Sequence, residues 1–489
     1  MKSLLGLGLV LAMIWPVDAL RAGDFIRGDA NADGIVDISD PVKTLQHLFL
    51  GGPSDCRDAM DTNDDGVLNL ADPIYEFAYL FTSGLTPPAP FPWCDADPTD
   101  TDPLDCQSNV TCDLGGPIGG LTADEIRSFH RGRLLMIKRF TPSEGLGPFY
   151  NTTSCGACHE VPVNGGSASH YRNFFLVGVG APGMQVKISW NPPIPSLVLP
   201  LYHNQDGERP LVPASTPGAP VAMALRNAPS MFGTGLFEFV SNATILSNAD
   251  PDDVLTPDGV SGRFNTDGLG HIGRFGYKLQ ANFIEPFIRG AAQNQMGMTT
   301  NPVEGSAGVV SLSMRHRQVA TSLDSPTVDN DGVPDPEISV ADFADIINFS
   351  RFMRPPEKKT FGPDEIAGEI LFDQIGCTKC HVPEIPSSVG PLGAYTDLLL
   401  HDMGPVLSDG LAMGIPMFSS TSPLSTENEF RTQPLWGVSM HGPWLHNGMA
   451  DTLQDAITLH GGEAESIKLA YLGLTAPEQL QVIRFLEAL

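Results

Sequence analysis

A mainly α fold follows from three features of this 489-residue chain. The word Cys-x-x-Cys-His occurs twice, at Cys155–His159 and Cys377–His381. Two stretches opening at Asp29 and Asp61 repeat one Asp/Asn-rich loop, each followed by apolar residues at helical spacing. Capping words of the form Thr-x-x-Glu open helices at Thr122 and Thr475. In each cysteine word the two thiols lie about one helical turn apart. That spacing lets both form thioethers with one porphyrin, while the adjacent His faces the iron. A structural disulfide, a redox dithiol and half of a zinc site are the other readings of such a pair. An immediately following His, twice, in a chain with an export signal, favours two covalent haems. The prediction is two helical haem domains, the first with a loop- and strand-rich insertion, behind a small α-helical module.

Composition bounds the rest. The formal net charge is -29, which argues against nucleic acid or an anionic membrane as partner. Hydrophobic residues make up 42% of the chain, enough for sizeable cores. Residues 1–19 read as a secretory signal. Lys2 is its charge, Leu4 to Trp15 its apolar run, and Val17-Asp18-Ala19 its small-residue cleavage site. No later stretch is long and apolar enough to span a bilayer. The chain is therefore expected to be periplasmic or secreted. Of its 8 Cys, four belong to the haem words. Cys56, Cys94, Cys106 and Cys112 form an even set for an oxidising compartment. Three pairings are possible, and Cys56–Cys94 with Cys106–Cys112 is expected because it leaves no crossing.

Residues 24–84 are the repeat pair. Asp29, Asn31, Asp33 and Asp37 supply oxygens, Gly34 a sharp turn, Ile35 a carbonyl and Asp40 a closing carboxylate. Asp61, Asn63, Asp65, Asn69, Gly66, Val67 and Asp72 repeat the pattern. Calcium is hard and needs several oxygens, and this order is that of an EF-hand loop. Asp at the last position is shorter than the usual Glu. Each loop runs into Pro41 or Pro73 and a helix ending at Gly51 or Gly84. The apolar stripes are Val42, Leu45, Leu48, Phe49 and Ile74, Phe77, Leu80, Phe81. Too little chain precedes Asp29 for an entering helix, so the pair resembles a type I dockerin, and a cohesin-like docking partner is implied. Residues 85–118, rich in Pro, Asp and Cys, read as a disulfide-pinned linker.

Residues 119–360 are expected to form the first haem domain. A helix runs from the Thr122 cap through Ile137, and 171–225 read as short strands and Pro-rich loops. Ala291–Thr300 reads as a loop, and Asp329–Gly332 as a turn. Residues 361–489 are the second. Pro363–Ile375 is an amphipathic helix with Ile366, Ile370 and Leu371 on its apolar face. Gly368 and Phe372 stand before Cys377 in a G-x-x-x-F arrangement that resembles the first helix of cytochrome c. The last helix should pack on it through Leu480, Ile483 and Leu486. For the second haem, His401, Met403, Met440, His441, His446, Met449 and His460 are open as the further axial ligand.

From about 119 to 489 the chain resembles the di-haem oxidoreductases related to bacterial di-haem cytochrome c peroxidases. The words are Gly145–Pro148, Ser154–His159, Gly273–Gly276, Thr396–Gly404, Arg431–Gly437 and Leu459–Gly462. The resemblance implies two cytochrome c-like haem domains with the insertion in the first, preceded by the EF-hand (dockerin-like) module. It implies a peroxidase-like enzyme that takes electrons from a small donor protein and reduces peroxide. His460 stands where relatives place a Met ligand, which implies a bis-His second haem. His446 is implied beside that haem. Asn227, with the carbonyls of Thr432 and Pro434, stands at an inter-haem calcium. Tyr277 falls near an aromatic residue, usually Trp, between the haems. Gln295 stands where relatives carry the Glu that assists peroxide cleavage, and Glu285 where they tend to carry Gln, as if exchanged. An amide cannot take a proton as a carboxylate can. So either Glu285 takes the role or peroxidase activity is weak; the other readings are an electron carrier with both irons six-coordinate, and a calcium-dependent docking protein carrying a redox domain. His170 falls about where resting relatives have a removable distal His.

Overall fold

The computed structural model describes residues 24–489 except 35, 55, 93, 95–96, 100–102, 107–111, 113, 148, 180–185, 188–202, 205–220, 256, 268–270, 304–326, 329–331 and 412–424. The expected export signal, the Ile35 carbonyl and most of the Asp329 turn lie outside the described residues. The chain is mainly α, with only short antiparallel strand pairings among those residues.

Helix α1 (Ser39–Leu50) follows the first acidic loop and α2 (Ala71–Thr82) the second. α1 stops where Gly51 takes a left-handed conformation, φ 69°. α2 stops one residue before its expected glycine, with Ser83 left-handed instead. The apolar stripes do not turn inward as a set. Val42, Phe49, Ile74 and Phe81 are exposed, while Asp40, Pro41 and Thr44, then Asp72, Pro73 and Glu76, are buried. The inner face of each helix is thus the one that carries the loop's closing carboxylate.

The linker corrects the expected disulfides. The pairs are Cys56–Cys106 and Cys94–Cys112, which interleave. The linker does not lead away from the module but folds back over it. Cys56 and Cys106 face each other across an antiparallel bridge, and the Arg57 amide donates to the Asp105 carbonyl at 2.8 Å. Fully buried Arg27 donates to the carbonyls of Ala89 and Asp61 and to the Asp97 carboxylate at 2.9 Å.

In residues 119–360, α3 (Ala123–Ile137) opens with the predicted Thr122–Glu125 capping box. β2 (Phe174–Val179) pairs antiparallel with β3 (Val186–Lys187) on one side and β5 (Val221–Arg226) on the other. The pair β1 (Phe149–Tyr150) and β4 (His203–Asn204) lies outside that sheet. After α4 (Asn242–Asn248), helix α5 (Ile284–Ala291) continues as a π turn over Ala292–Met296, where a loop was expected. Gly297, φ 72°, ends it. Helix α6 (Val340–Phe352) then crosses α3 at Gly132. A Cβ there would lie 2.0 Å from the Asp345 carbonyl oxygen and 2.8 Å from the Phe349 Cβ, so only glycine allows the approach.

Residues 361–489 repeat that device. Helix α7 (Pro363–Gln374) crosses the last helix, α10 (Ala476–Glu487), at Gly368. Here a Cβ would sit 2.0 Å from the Gln481 carbonyl oxygen and 2.8 Å from the Phe485 Cβ. Because Gly368 and Phe372 set the contact, Ile366 and Ile370 face solvent, contrary to expectation, and so does Leu480. Val482, Phe485 and Leu486 fill the core. Between these helices lie β6 (Leu400–Asp402) paired with β7 (Glu429–Arg431), then α8 (Leu453–Leu459) and α9 (Glu465–Leu472).

Candidate functional site: two haem cradles and the ground between them

The first cysteine word is a single turn of 3-10 helix, Gly156–Cys158, laid against the end of α3. A Cβ on Gly156 would meet the Met136 carbonyl oxygen at 3.1 Å. Nδ1 of His159 lies 3.0 Å from the Gly166 carbonyl oxygen. That contact makes Nδ1 the protonated nitrogen and leaves the Nε2 lone pair for a metal, a common tautomer lock in haem and metal sites. The second word is built alike. Its turn is Cys377–Lys379, and His381 Nδ1 lies 2.9 Å from the Tyr395 carbonyl oxygen.

All four cysteines are thiols, not disulfides. Burial pushes the Cys155 and Cys377 thiols up to about 12 and Cys158 up to about 11. A redox dithiol is served by a depressed thiol, and burial moves these three the other way. Among the described residues no three His, Cys, Asp or Glu side chains are grouped so as to hold a metal ion, either at the cysteine words or in the acidic loops.

On the first side, the segment leading to Cys155 is tied to the π turn. The amide nitrogen of Asn151 donates to the Gln295 carbonyl, and its side-chain Nδ2 donates to Gln295 Oε1, each at 2.7 Å. Gln295 therefore stands against the segment that delivers the first haem word. Glu285 sits in the first turn of α5, its carboxylate accepting from the Val303 amide at 2.6 Å. Ten residues of helix separate it from Gln295, roughly 15 Å of rise. His170 lies on the surface with Nε2 2.8 Å from Asp451.

On the second side, the seven candidate ligands separate. His460 Nδ1 lies 2.6 Å from the Ala456 carbonyl oxygen, which leaves Nε2 open, as in His381. Burial brings His381 down to about 4, and the nearby His460 is among the groups that lower it further. The two imidazoles thus share one neighbourhood. Met449 is exposed. His441 has a buried Nδ1 with no hydrogen-bond partner among the described residues. Both nitrogens of His401 are taken, Nε2 by Asp397 at 2.8 Å and Nδ1 by Glu463 at 2.9 Å. A ring flanked by two carboxylates satisfies both only as imidazolium. Burial opposes that charge, but Asp397 and the Cys380 sulfur hold the ring well above its ordinary value. His401 is thereby removed from the ligand set.

Between the two sides, Tyr277 donates its hydroxyl to the Asn227 carbonyl at 3.0 Å, and its ring stands 6.2 Å from that of His446. Burial pushes the phenol up to about 12. His446 stacks on Phe430 at 4.0 Å, and Lys278 Nζ lies 3.7 Å from the Phe430 centroid. Lys278 is fully buried and reaches the Thr426 and Glu427 carbonyls and Asp409, which also takes Arg226. The Asn227 amide donates to the Ala168 carbonyl and to Asn173, while its oxygen receives the Ser167 hydroxyl at 3.3 Å. The Thr432 carbonyl receives the Thr396 hydroxyl at 2.6 Å, and Pro434 is half-buried two residues on.

Both acidic loops adopt one conformation. Asp29 accepts from the Asp33 amide at 3.0 Å and the Gly34 amide at 2.8 Å, and Asp40 closes the loop on the Asn31 and Asp37 amides. In the second loop, Asp61 accepts from the Asp65 and Gly66 amides, and Asp72 from the Asn69 amide. Without a cation, burial pushes Asp29 and Asp72 up to about 7 and Asp40 to about 8. Arg133 of α3 reaches the Asp33 carbonyl at 3.5 Å.

The sequence reading missed the Asp397–His401–Glu463 set and the Arg226–Lys278–Asp409 cluster. Asp397 and His401 lie at i, i+4 inside a word already singled out, but Glu463 and Asp409 come from distant segments with no local signal.

A family model described as "Di-haem oxidoreductase, putative peroxidase" matches residues 218–489, more than half of the chain. The chain belongs to this family. The family is one of di-haem oxidoreductases, described as putative peroxidases. The second haem word lies inside the matched stretch and the first lies outside it. Among curated proteins, the methylamine utilization protein MauG of Methylorubrum extorquens is 27% identical over 139 residues, 27% of this chain. That match covers 36% of MauG, about a third of its length. Among solved structures, a MauG-like protein associated with microbial copper homeostasis aligns over 31% of this chain and 56% of its own, at 20% identity and TM-score 0.22. The hydrazine synthase of Kuenenia stuttgartiensis aligns over 30% and 55%, at 19% identity and TM-score 0.21. No helix among the described residues of this di-haem oxidoreductase is long and apolar enough to cross a membrane.

Proposed function

We propose that this chain is an exported di-haem peroxidase-type oxidoreductase in which electrons pass from the second haem to the first. The observation that carries it is the duplicated cradle, two buried thiols on one turn beside an imidazole whose Nδ1 is locked on a carbonyl. This donor set fits a c-type haem at each site. Cys155, Cys158 and His159 would hold the first, and Cys377, Cys380, His381 and His460 the second. When bound, haem supplies one-electron chemistry and, at an open axial face, a place for peroxide. The chain's own residues do the rest. His159 and His381 offer Nε2 in fixed orientation. Tyr277 fills the space between the sites with its hydroxyl tied down, so its ring keeps one position. Glu285 is the carboxylate for moving a proton, and Gln295, braced by Asn151, orients through its amide.

The organisation goes with that reading. Residues 24–84 are a calcium module, 85–118 its linker, and 119–360 and 361–489 the haem domains. Calcium would be held by the side chains and carbonyls of the two loops, whose Asp29, Asp40, Asp61 and Asp72 carboxylates are buried. A further calcium between the haems, at Asn227, Thr432 and Pro434, belongs to the same proposal. The partner is a small electron-donor protein in the periplasm or outside the cell. A cohesin-like docking partner suits the exposed apolar residues of α1 and α2. The decisive experiment is an electronic and EPR spectrum of the holoprotein with a peroxide-consumption assay. A high-spin ferric signal with turnover supports the enzyme reading. Two low-spin haems and no turnover support the alternative favoured by Gln295, an electron carrier.

A further inference from the structure

The turn that carries His460 is pinned on three sides by one carboxylate. Glu463 follows His460 by three residues, after two glycines. Its Oε1 accepts the Ser261 hydroxyl at 2.7 Å and the Asp402 amide at 3.2 Å. Its Oε2 accepts the Ser261 amide at 2.9 Å and faces His401 Nδ1 at 2.9 Å. His401 is fixed in turn by Asp397 and lies 3.6 Å from the sulfur of Cys380. The turn has no slack. Gly462, φ 58°, packs so closely that a Cβ would lie 2.1 Å from the Asp402 carbonyl oxygen. Side-chain exposure is 4% at His401, 3% at Asp397 and 16% at Glu463.

We propose that Glu463 is the positioning residue for the axial ligand of the second haem, holding the His460 turn against His401 on one side and against Ser261 of the first haem domain on the other. A charged acceptor suits the task, because each hydrogen bond to a carboxylate is about twice as strong as a neutral one. Gln in its place offers one oxygen and two N–H groups, so it cannot accept from all four donors. The same carboxylate links the turn to residue 261, so the ligand's position depends on how the two haem domains sit together. The proposal rests on the reading of His460 as that ligand.

The test uses the ferric holoprotein and follows the EPR signal of the second haem while cyanide displaces its sixth ligand. Glu463→Gln should raise the cyanide affinity of that haem about tenfold, the factor expected for one lost hydrogen bond to a charged group. The low-spin g-values should move with it, at unchanged haem content. Ser261→Ala removes only the hydroxyl contact, leaves the cradle intact, and should give a smaller change of the same sign. His460→Met separates the two ideas. If it leaves the second-haem spectrum untouched, the ligand reading is wrong and the positioning role falls with it. If it converts the spectrum while Glu463→Gln and Ser261→Ala both keep wild-type g-values and cyanide affinity, the ligand reading stands and the positioning role is overturned. Should Glu463→Gln fail to fold, Ser261→Ala decides alone.

Discussion

At the scale of single residues, a His460→Met substitution should raise the reduction potential of the second haem, because a thioether favours ferric iron less than imidazole does. It should also bring in the weak near-infrared band of Met-ligated ferric haem, read directly in the absorption spectrum. Glu285 and Gln295 are tested as a pair. Glu285→Gln should cut peroxide turnover by about a hundredfold or more with haem spectra unchanged, the usual worth of a positioned acid or base. Gln295→Glu should raise turnover. If neither changes peroxide consumption, the carrier reading takes over. Lys278 gives a pH signature. Burial lowers its pKa from 10.5 to about 7. Between those values the unfolded chain holds a proton that the folded chain has lost, so this group makes the protein more stable as pH rises from about 7 to 10.5. Lys278→Met lacks that gain, on the order of a few kcal/mol at most. The melting temperature of the variant relative to wild type should therefore fall between pH 6 and pH 9. The haem cysteines and their histidines were legible because their chemistry is local, five consecutive residues. Lys278, His401 and Glu463 were not, because their partners lie far away in the chain.

At the scale of elements, residues 119–360 and 361–489 each rest on one helix crossing that only a glycine permits. Gly132→Val and Gly368→Val should each destabilise their own domain by about 1–3 kcal/mol, the range for overpacking a filled contact. Thermal melts followed at each haem's absorption would assign the loss to one domain. The Gly368 crossing could be read in advance from G-x-x-x-F and the capped last helix. The Gly132 crossing could not, because α6 carries no motif and its Ser339 cap is an ordinary one. Apolar stripes misled at α1, α2 and α7. A stripe says that a face is apolar, but the residue that lets two backbones touch decides which face turns inward. The π turn at Gln295 was read as a loop because its short, polar sequence, Ala-Gln-Asn-Gln-Met, has no helical apolar period.

At the scale of the whole molecule, the acidic-loop repeat pair is seated against α3 rather than strung ahead of it, since Arg133 of α3 meets the first loop at the Asp33 carbonyl. Chelation should therefore speed hydrogen exchange in residues 24–84 and also in α3 around Arg133. Exchange confined to 24–84, or none, would count against the coupling. The order of these parts along the chain was legible from composition and motif spacing. Their contacts were not, because a linker rich in Pro and Asp reads as extended, while buried Arg27 folds it back. The interleaved disulfides have a further consequence, for a chain that has been cut. With Cys56 tied to Cys106 and Cys94 to Cys112, one of the two bridges spans every peptide bond from residue 56 to residue 112. The side-by-side pairing would have left residues 95–105 uncovered. An extracellular protease that nicks this linker once between residues 85 and 112 therefore severs the backbone without shedding the module. After limited proteolysis there, a denaturing gel without reductant should show one full-length band, and the same sample with reductant should show two fragments.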